Sequence, residues 1–537
     1  MSLVPETHGG QAMFSNLCSD CRDKLDMRHF KAKAQGQVVV ESGKGTDPVY
    51  TLIHEYSYKP GVLSTGQSRD CDLCVLVIDD ITKAEDTGGP SWEQQWERKW
   101  VTGRWFVQCR STKKELLDLM VLRIQIDDER YGSMDQNFII GREDVLFDVR
   151  ANAGDPAAEY ISSREYDTYH GSRANIELAN SWVGQCFQKH ACGSQSSNAP
   201  LPTRVLDIGT KYCDGVRLYA TYGQSGKYVA LSYCWGQKQP QRTTTENLAA
   251  NFDSIDFETL SPTIKDAITV TRSLELRYIW IDALCIIQDC AEDKMKELAN
   301  MANVYENASI TLVAASAAGA DEGFLKPKPI PKIDLRIPYG QQGTLLLRNQ
   351  RYIRILDVAS DPTESRAWCL QESLLSRRCL VYSSLHLYWA CQELTYADQN
   401  TRLAVNPDYL PDNIQHFVQN LPPVFRTQRQ GNKLLEDDWR QLWAFWRNFV
   451  SEYSSRQISF LTDRFPAISA VARKVQDVSG DDFYAGVWKS NIAREFLWKK
   501  ATKENMLSIQ VSPVQPRPNV YIAPTWSWLS CLGRVVY

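Results

Sequence analysis

Two pairs of cysteines, each with a two-residue gap, stand early in the chain: Cys18-x-x-Cys21 and Cys71-x-x-Cys74. That gap lets both sulfurs of a turn face one ion, and four thiolates complete the tetrahedron of a structural zinc. His54 lies between the pairs as a competing ligand. The segment separating them is longer than in common zinc ribbons, and the alternative is two unrelated pairs. A second group, Cys186, His190 and Cys192, places ligand-type residues at a helix end, where core packing is the expected role. Cys285 and Cys369 with His386 make a thiol–imidazole set on paper. Both cysteines lie in apolar segments, and reduced thiols there pack as small hydrophobes. No GxxxxGK[ST] phosphate loop and no GxSxG elbow occurs, so neither nucleotide switching nor serine hydrolysis has an evident seat.

Bulk properties narrow the class. Over 537 residues, 43% are hydrophobic and 23% charged, which fits a folded chain of roughly two to four structural units. Sixty basic residues stand against 64 acidic ones, so no overall positive field favours nucleic acid or membrane surfaces. No apolar run reaches the ~20 residues that span a bilayer, and the N-terminus has no basic start followed by an apolar stretch. Fifteen cysteines, several single and in apolar runs, suit a reducing compartment, and a cytoplasmic location is expected. The 16 Trp and 24 Tyr should carry much of the packing.

The elements that must position any chemistry come in blocks. Residues 1–160 read as a β-rich N-terminal region, with strands at Leu73 to Ile78, Trp105 to Cys109 and Leu119 to Ile126. The pattern weakens between Gly132 and Glu159, where a connection is expected. A helix fits Ser172 to His190, and residues 161–204 form a lead-in ending in a Ser/Asn/Pro-rich linker. From 205 to 395 strands and helices alternate. Tyr228–Cys234, Tyr278–Leu284 and Ser309–Ala315 read as strands. Pro262 starts one helix, and a second, from about Glu292, turns Met295, Leu298, Ala299, Ala302 and Tyr305 to one side. This rhythm predicts an α/β fold: a central, mostly parallel sheet flanked by helices. The Lys/Pro-rich stretch 325–350 reads as an insertion. Residues 396–537 form a helix-rich, Trp-rich C-terminal region. Trp439, Trp443 and Trp446 share one helical face, and Trp526 and Trp528 alternate as in a strand.

Several segments in order carry a family resemblance: YVALSYCWG (228–236), LSPTIKDAI (260–268), RYIWIDALCIIQD (277–289), MANVYENASITLVAAS (301–316) and ESRAWCLQESLLSRRCLVYS (364–383). Together they resemble the signature segments of fungal heterokaryon-incompatibility (HET) domains. WVGQCFQKHAC and LPTRVLDIG before them, and DRFPAISAVA, YAGVW and APTWSW after them, resemble flanking segments of the same family. The resemblance implies a role in fungal non-self recognition and innate immunity, in which the HET domain triggers programmed cell death. Self-association or a protein partner of the domain is implied with it.

The same segments bear a weaker resemblance to TIR domains, some of which cleave NAD between nicotinamide and ribose. Leu231-Ser232-Tyr233 falls at the first TIR strand, Ile279–Asp282 at the second with its acidic end, and Ala367-Trp368-Cys369-Leu370-Gln371-Glu372 at the Trp-Cys-x-x-Glu segment with the catalytic acid. About fifty residues separate the third strand from that last segment, more than in a TIR domain. The resemblance implies a flavodoxin-like strand order and NAD as substrate. Glu372 would then stabilise an oxocarbenium-like state, as carboxylates do in glycoside hydrolysis. Ser232 and Asp282 would border the ribose, and Trp235 or Trp368 would stack on a flat ring. The plainer reading pairs Glu372 with Arg366, Arg377 or Arg378 and makes Asp282 a turn cap. A domain that assembles and recruits a death-inducing partner without catalysis is the alternative function.

Overall fold

The computed structural model describes residues 50–58, 71, 99–109, 117–128 and 141–159 and, with short gaps throughout, 167–328, 335–349, 361–397, 434–501 and 521–537. The chain divides into two compact units, the first comprising residues 1–166, 330–356 and 399–401. Its six-stranded sheet is antiparallel throughout, in the order Tyr50–Tyr58, Lys99–Cys109, Leu117–Asp128, Gly141–Arg150, Gly343–Asn349, Leu335–Tyr339. Two expectations change here. Gly141–Arg150 is a strand, not a connection: Phe147 and Val149 alternate with Asp148 and Arg150, the period-two pattern of a pleated strand. The apparent insertion supplies the last two strands of this sheet. Cys71 is buried, but Cys18, Cys21 and Cys74 lie outside the described residues, as does the strand expected at 73–78.

The second unit holds residues 167–329, 357–398 and 402–537. Labelled within it, the strands are β1 (Arg204–Asp207), β2 (Arg217–Ala220), β3 (Tyr228–Ser232), β4 (Tyr278–Trp280), β5 (Ile310–Val313), β6 (Arg378–Tyr382), β7 (Leu387–Cys391) and β8 (Thr395–Ala397). They form one sheet in the order β8-β7-β6-β5-β3-β4-β1-β2. Only β6, β5, β3 and β4 run parallel; antiparallel strands extend both edges. The sheet is therefore mixed rather than mostly parallel. Numbered by their own chain order, the parallel strands lie side by side as 2-1-3-4. Every residue of β3 and β5 is buried, as expected of strands covered on both faces.

The helices of this unit are α1 (Arg173–Lys189), α2 (Leu248–Asp253), α3 (Pro262–Ser273), α4 (Asp282–Cys285), α5 (Ala291–Asn307), α6 (Ala367–Leu375), α7 (Glu436–Ser455) and α8 (Pro466–Ser479). Pro262 opens α3, and Ile264, Ala267, Ile268 and Thr271 are buried along its inner face. On α5 the buried side is Glu297, Met301, Val304 and Tyr305, while Met295 and Leu298 are exposed. This rotation relative to the expected face follows from Arg204, which draws Asp293 (2.5 Å) and Glu297 (3.7 Å) inward. The strand expected over Tyr278–Leu284 stops at Trp280 and gives way to the single helical turn α4.

The C-terminal helices form a second core in which Trp443, Trp446, Trp488 and Trp528 pack with Ala367, Leu370 and Leu374 of α6. One side of α6 is thus clamped by the aromatic region. Trp528 lies in the short 3-10 turn Trp528–Ser530 and not in a strand, and Trp526 remains largely exposed.

Candidate functional site at the carboxyl ends of the parallel strands

β3 ends at Ser232, and the chain turns through Tyr233-Cys234-Trp235-Gly236. Gly236 has φ +76°, and a Cβ there would meet the Cα of Gly319 at 2.6 Å. Only glycine allows this approach. The turn is pinned to the segment after β5 by the Ala320 amide, which donates to the Trp235 carbonyl (3.1 Å). That segment is anchored in turn to α3. Thr263 Oγ1 donates to the Gly319 carbonyl (3.0 Å), and Asp266 Oδ2 accepts from the Phe324 (2.7 Å) and Leu325 (2.9 Å) amides. Two loops at the ends of β3 and β5 are therefore fixed by residues drawn from three sequence blocks.

Side chains from three other positions converge on this frame. Ser232 Oγ donates to Glu372 Oε2 at 2.5 Å across 140 residues of sequence. Asp282, the first residue of α4, accepts from the Trp235 indole N–H (2.9 Å) and from the Ala283 amide (2.7 Å). Arg366, at the N-cap of α6, donates through Nη1 to the Tyr233 carbonyl (2.5 Å). Glu372 is 6% exposed. Burial, then the nearby Cys369 and Asp282, push its carboxyl well above the usual range, against the pull of the Ser232 hydroxyl and the Arg366 guanidinium. Burial also raises Asp282, opposed by Arg366 and its two hydrogen bonds.

Ser232, Trp235, Asp282 and Glu372 thus lie in one hydrogen-bonded and electrostatic cluster, which Arg366 joins. Arg377 and Arg378 reach elsewhere: Arg377 to Glu306 at 4.0 Å, Arg378 to the Ser309 carbonyl at 3.2 Å. Trp368 is half-buried and packs against both cores. Cys285 is pushed up to about 12 by burial; a hydrogen bond that Cys369 donates to Cys234, together with burial, holds Cys369 well above the thiol range. Neither supplies the thiolate that a cysteine protease needs. A cavity of about 380 Å³ lies elsewhere in the unit, lined by Leu201, Arg204, Tyr222, Leu248, Phe252 and Asn300 among others; none of the acid-cluster residues borders it.

A second cluster forms where the end of α1 meets the end of β7. Ligand atoms of Cys186, His190, Cys192 and Cys391 all lie within 4.8 Å of one another. Packing explains the expected burial of Cys186 and Cys192 but not this convergence with His190. Cys391 was not visible from the sequence as a member, because it ends the apolar strand LYWAC. The clue is its register: Cys391 is the cross-strand partner of Arg378, whose guanidinium donates to Cys186 Sγ at 3.4 Å.

Fold and site together define a mixed α/β protein with a buried acid cluster at the carboxyl ends of its parallel strands. Residues 228–372, which run from the start of β3 to the clustered glutamate, match the family model described as Heterokaryon incompatibility protein (HET), and the chain carries a HET domain over that segment. No curated protein and no solved structure matches the chain. Among the described residues, no helix is long and apolar enough to cross a membrane.

Proposed function

We propose that the HET domain of this chain cleaves the nicotinamide–ribose bond of NAD, with Glu372 as the acid at the reacting carbon, and that this activity is the death signal of a non-self recognition protein. One observation carries the reading. The Glu372 carboxyl is held by the last residue of β3, beside β5, where the parallel order 2-1-3-4 reverses direction. Doubly wound sheets with that order take their ligands in the crevice at this reversal. TIR domains share the order and the Trp-Cys-x-x-Glu segment, and that likeness supports the choice of NAD.

The chemistry follows from charge. Breaking the C1′–N bond releases neutral nicotinamide and leaves positive charge on the ribose; water then adds its hydroxyl to C1′ and gives up a proton. A carboxylate close to C1′ stabilises the developing cation. Glu372 rests with a raised pKa, so the substrate has a second part. The pyridinium ring is itself cationic, and its arrival favours ionisation of the buried carboxyl. Ser232 orients Glu372, while Asp282 and Trp235, locked together, border the ribose and the ring.

The purified full chain is incubated with NAD, and nicotinamide and ADP-ribose are quantified over a range of protein concentrations. Release by the wild type and its loss in Glu372→Gln is the expected result. No release at any concentration, or equal release by the variant, overturns the reading. The second reading, assembly without catalysis, is favoured by the burial of Glu372 and by the position of the described cavity away from it. It predicts cell death on overexpression of Glu372→Gln as readily as of the wild type.

A further inference from the structure

We infer that Cys186, His190, Cys192 and Cys391 form a structural site for a zinc-class divalent cation that fastens the lead-in helix α1 to the last strands of the sheet. The proposal involves none of the residues of the acid cluster and stands or falls apart from NAD cleavage.

The donor set argues for a soft d10 ion. Three sulfurs and one imidazole are a Cys₃His set, and four protein donors leave no open position, which marks a structural rather than a catalytic site. The spacing fits. With zinc–sulfur bonds of about 2.3 Å at tetrahedral angles, sulfurs should lie roughly 3.7 Å apart. Cys186 and Cys192 Sγ are 3.3 Å apart, and Cys391 Sγ is 3.4 Å from His190 Nδ1. A disulfide would need sulfurs at about 2.05 Å. The three cysteines are buried and His190 is half-buried, so the imidazole forms the outer side of the site.

The surroundings fit the charge such a site would carry. Three thiolates on a divalent ion leave a net single negative charge. Arg378 is fully buried, donates to Cys186 Sγ and to the carbonyls of Ser309 and Cys192, and lies 4.7 Å above the Phe187 ring. Its guanidinium supplies the balancing charge and orients a ligand at once, as partners beyond the ligands do in metal sites. The reach along the chain gives the site its purpose. His190 and Cys391 are 201 residues apart, so one ion would close the whole α/β unit, from the helix before β1 to the end of β7. Thiolates release protons on binding the ion, and that binding energy then adds to folding.

The test measures metal in the full chain after expression with zinc. Because Cys18, Cys21, Cys71 and Cys74 offer a second set of four thiols, the decisive comparison is between variants. Cys391→Ser should lose one zinc equivalent per chain, while Cys18→Ser/Cys21→Ser leaves that equivalent in place. Should Cys391→Ser fail to fold, His190→Cys decides: it keeps the ion and, with cobalt in place of zinc, strengthens the thiolate charge-transfer band by about a third, from three sulfurs to four. In the wild type, removal of zinc by a chelator should lower the melting temperature, and readdition should restore it. The proposal is overturned if the wild type holds no ion assignable to these residues. It is equally overturned if cobalt gives no tetrahedral thiolate spectrum, or if intact mass shows Cys186 and Cys192 joined by a disulfide.

Discussion

The acid cluster around Glu372 and the thiol cluster around Cys186 lie in the same unit, and both join residues far apart in sequence. They differ in what holds them. Glu372, Asp282 and Arg366 are ionisable groups in the interior, kept at the ends of parallel strands by loops that glycine alone permits. Burying ionisable groups there is a cost, and such clusters concentrate at functional sites. The thiol cluster sits where a helix end meets an antiparallel strand, at the side of the sheet, and its members are at ease in apolar surroundings. The first cluster has the character of a working site. The second has the character of a fastening, and stability is where its loss should show.

The largest effect on stability should come from the fastening. Arg378→Met removes a fully buried guanidinium from two carbonyls and a sulfur and should cost about 3–5 kcal/mol in urea unfolding, leaving activity per folded molecule unchanged. A fall in activity per folded molecule would break the contrast. Next comes the frame of the acid cluster. Gly236→Ala meets both a positive φ and the Gly319 backbone and should cost roughly 2–4 kcal/mol, with activity falling even in the molecules that fold.

Ser232→Ala should hardly change the melting temperature but slow nicotinamide release by roughly tenfold, the share of a lost positioning bond. It should also shift the pH profile. The hydroxyl lowers the pKa of Glu372, so its removal raises it, and the rising limb of activity moves to higher pH. The smallest effect is a control from outside both clusters. Glu495 is fully buried, and burial raises it from 4.5 to about 7 despite its bond from Asn491. Between those values the folded chain holds a proton that the unfolded chain has lost, so this group's contribution to stability falls as pH rises through that window. Glu495→Gln should therefore stabilise the protein by on the order of 1–2 kcal/mol at neutral pH and by little below pH 4.5. A buried carboxyl that improves the protein when replaced is the control for Glu372, whose replacement is expected to stop nicotinamide release.

The same contrast governs what could be read from the sequence. Elements whose burial follows a simple period were visible: the Pro262 helix, the Trp443 and Trp446 face, and the apolar runs of β3 and β5. The acid cluster was visible through segment order, because Ser232, Asp282 and Glu372 each end or follow a recognisable block. Arg366 was visible only as a possible partner of Glu372, since its bond to the Tyr233 carbonyl depends on how α6 docks. The buried face of α5 departs from its apolar period because Arg204, far upstream, draws Glu297 inward against its polarity. Cys391 was hidden inside an apolar strand, and only its register opposite Arg378 links it to Cys186. Strand pairing across long separations, as between Gly343–Asn349 and Gly141–Arg150, leaves no local trace in composition.

The most direct measurement separates binding from turnover in Glu372→Gln, with NAD affinity from calorimetry and nicotinamide release from the same preparation. If the carboxylate acts on the developing cation, affinity and melting temperature should stay near the wild-type values while turnover falls roughly a hundredfold or more. Turnover equal to that of the wild type, or a protein that binds no NAD in either form, would contradict the assignment.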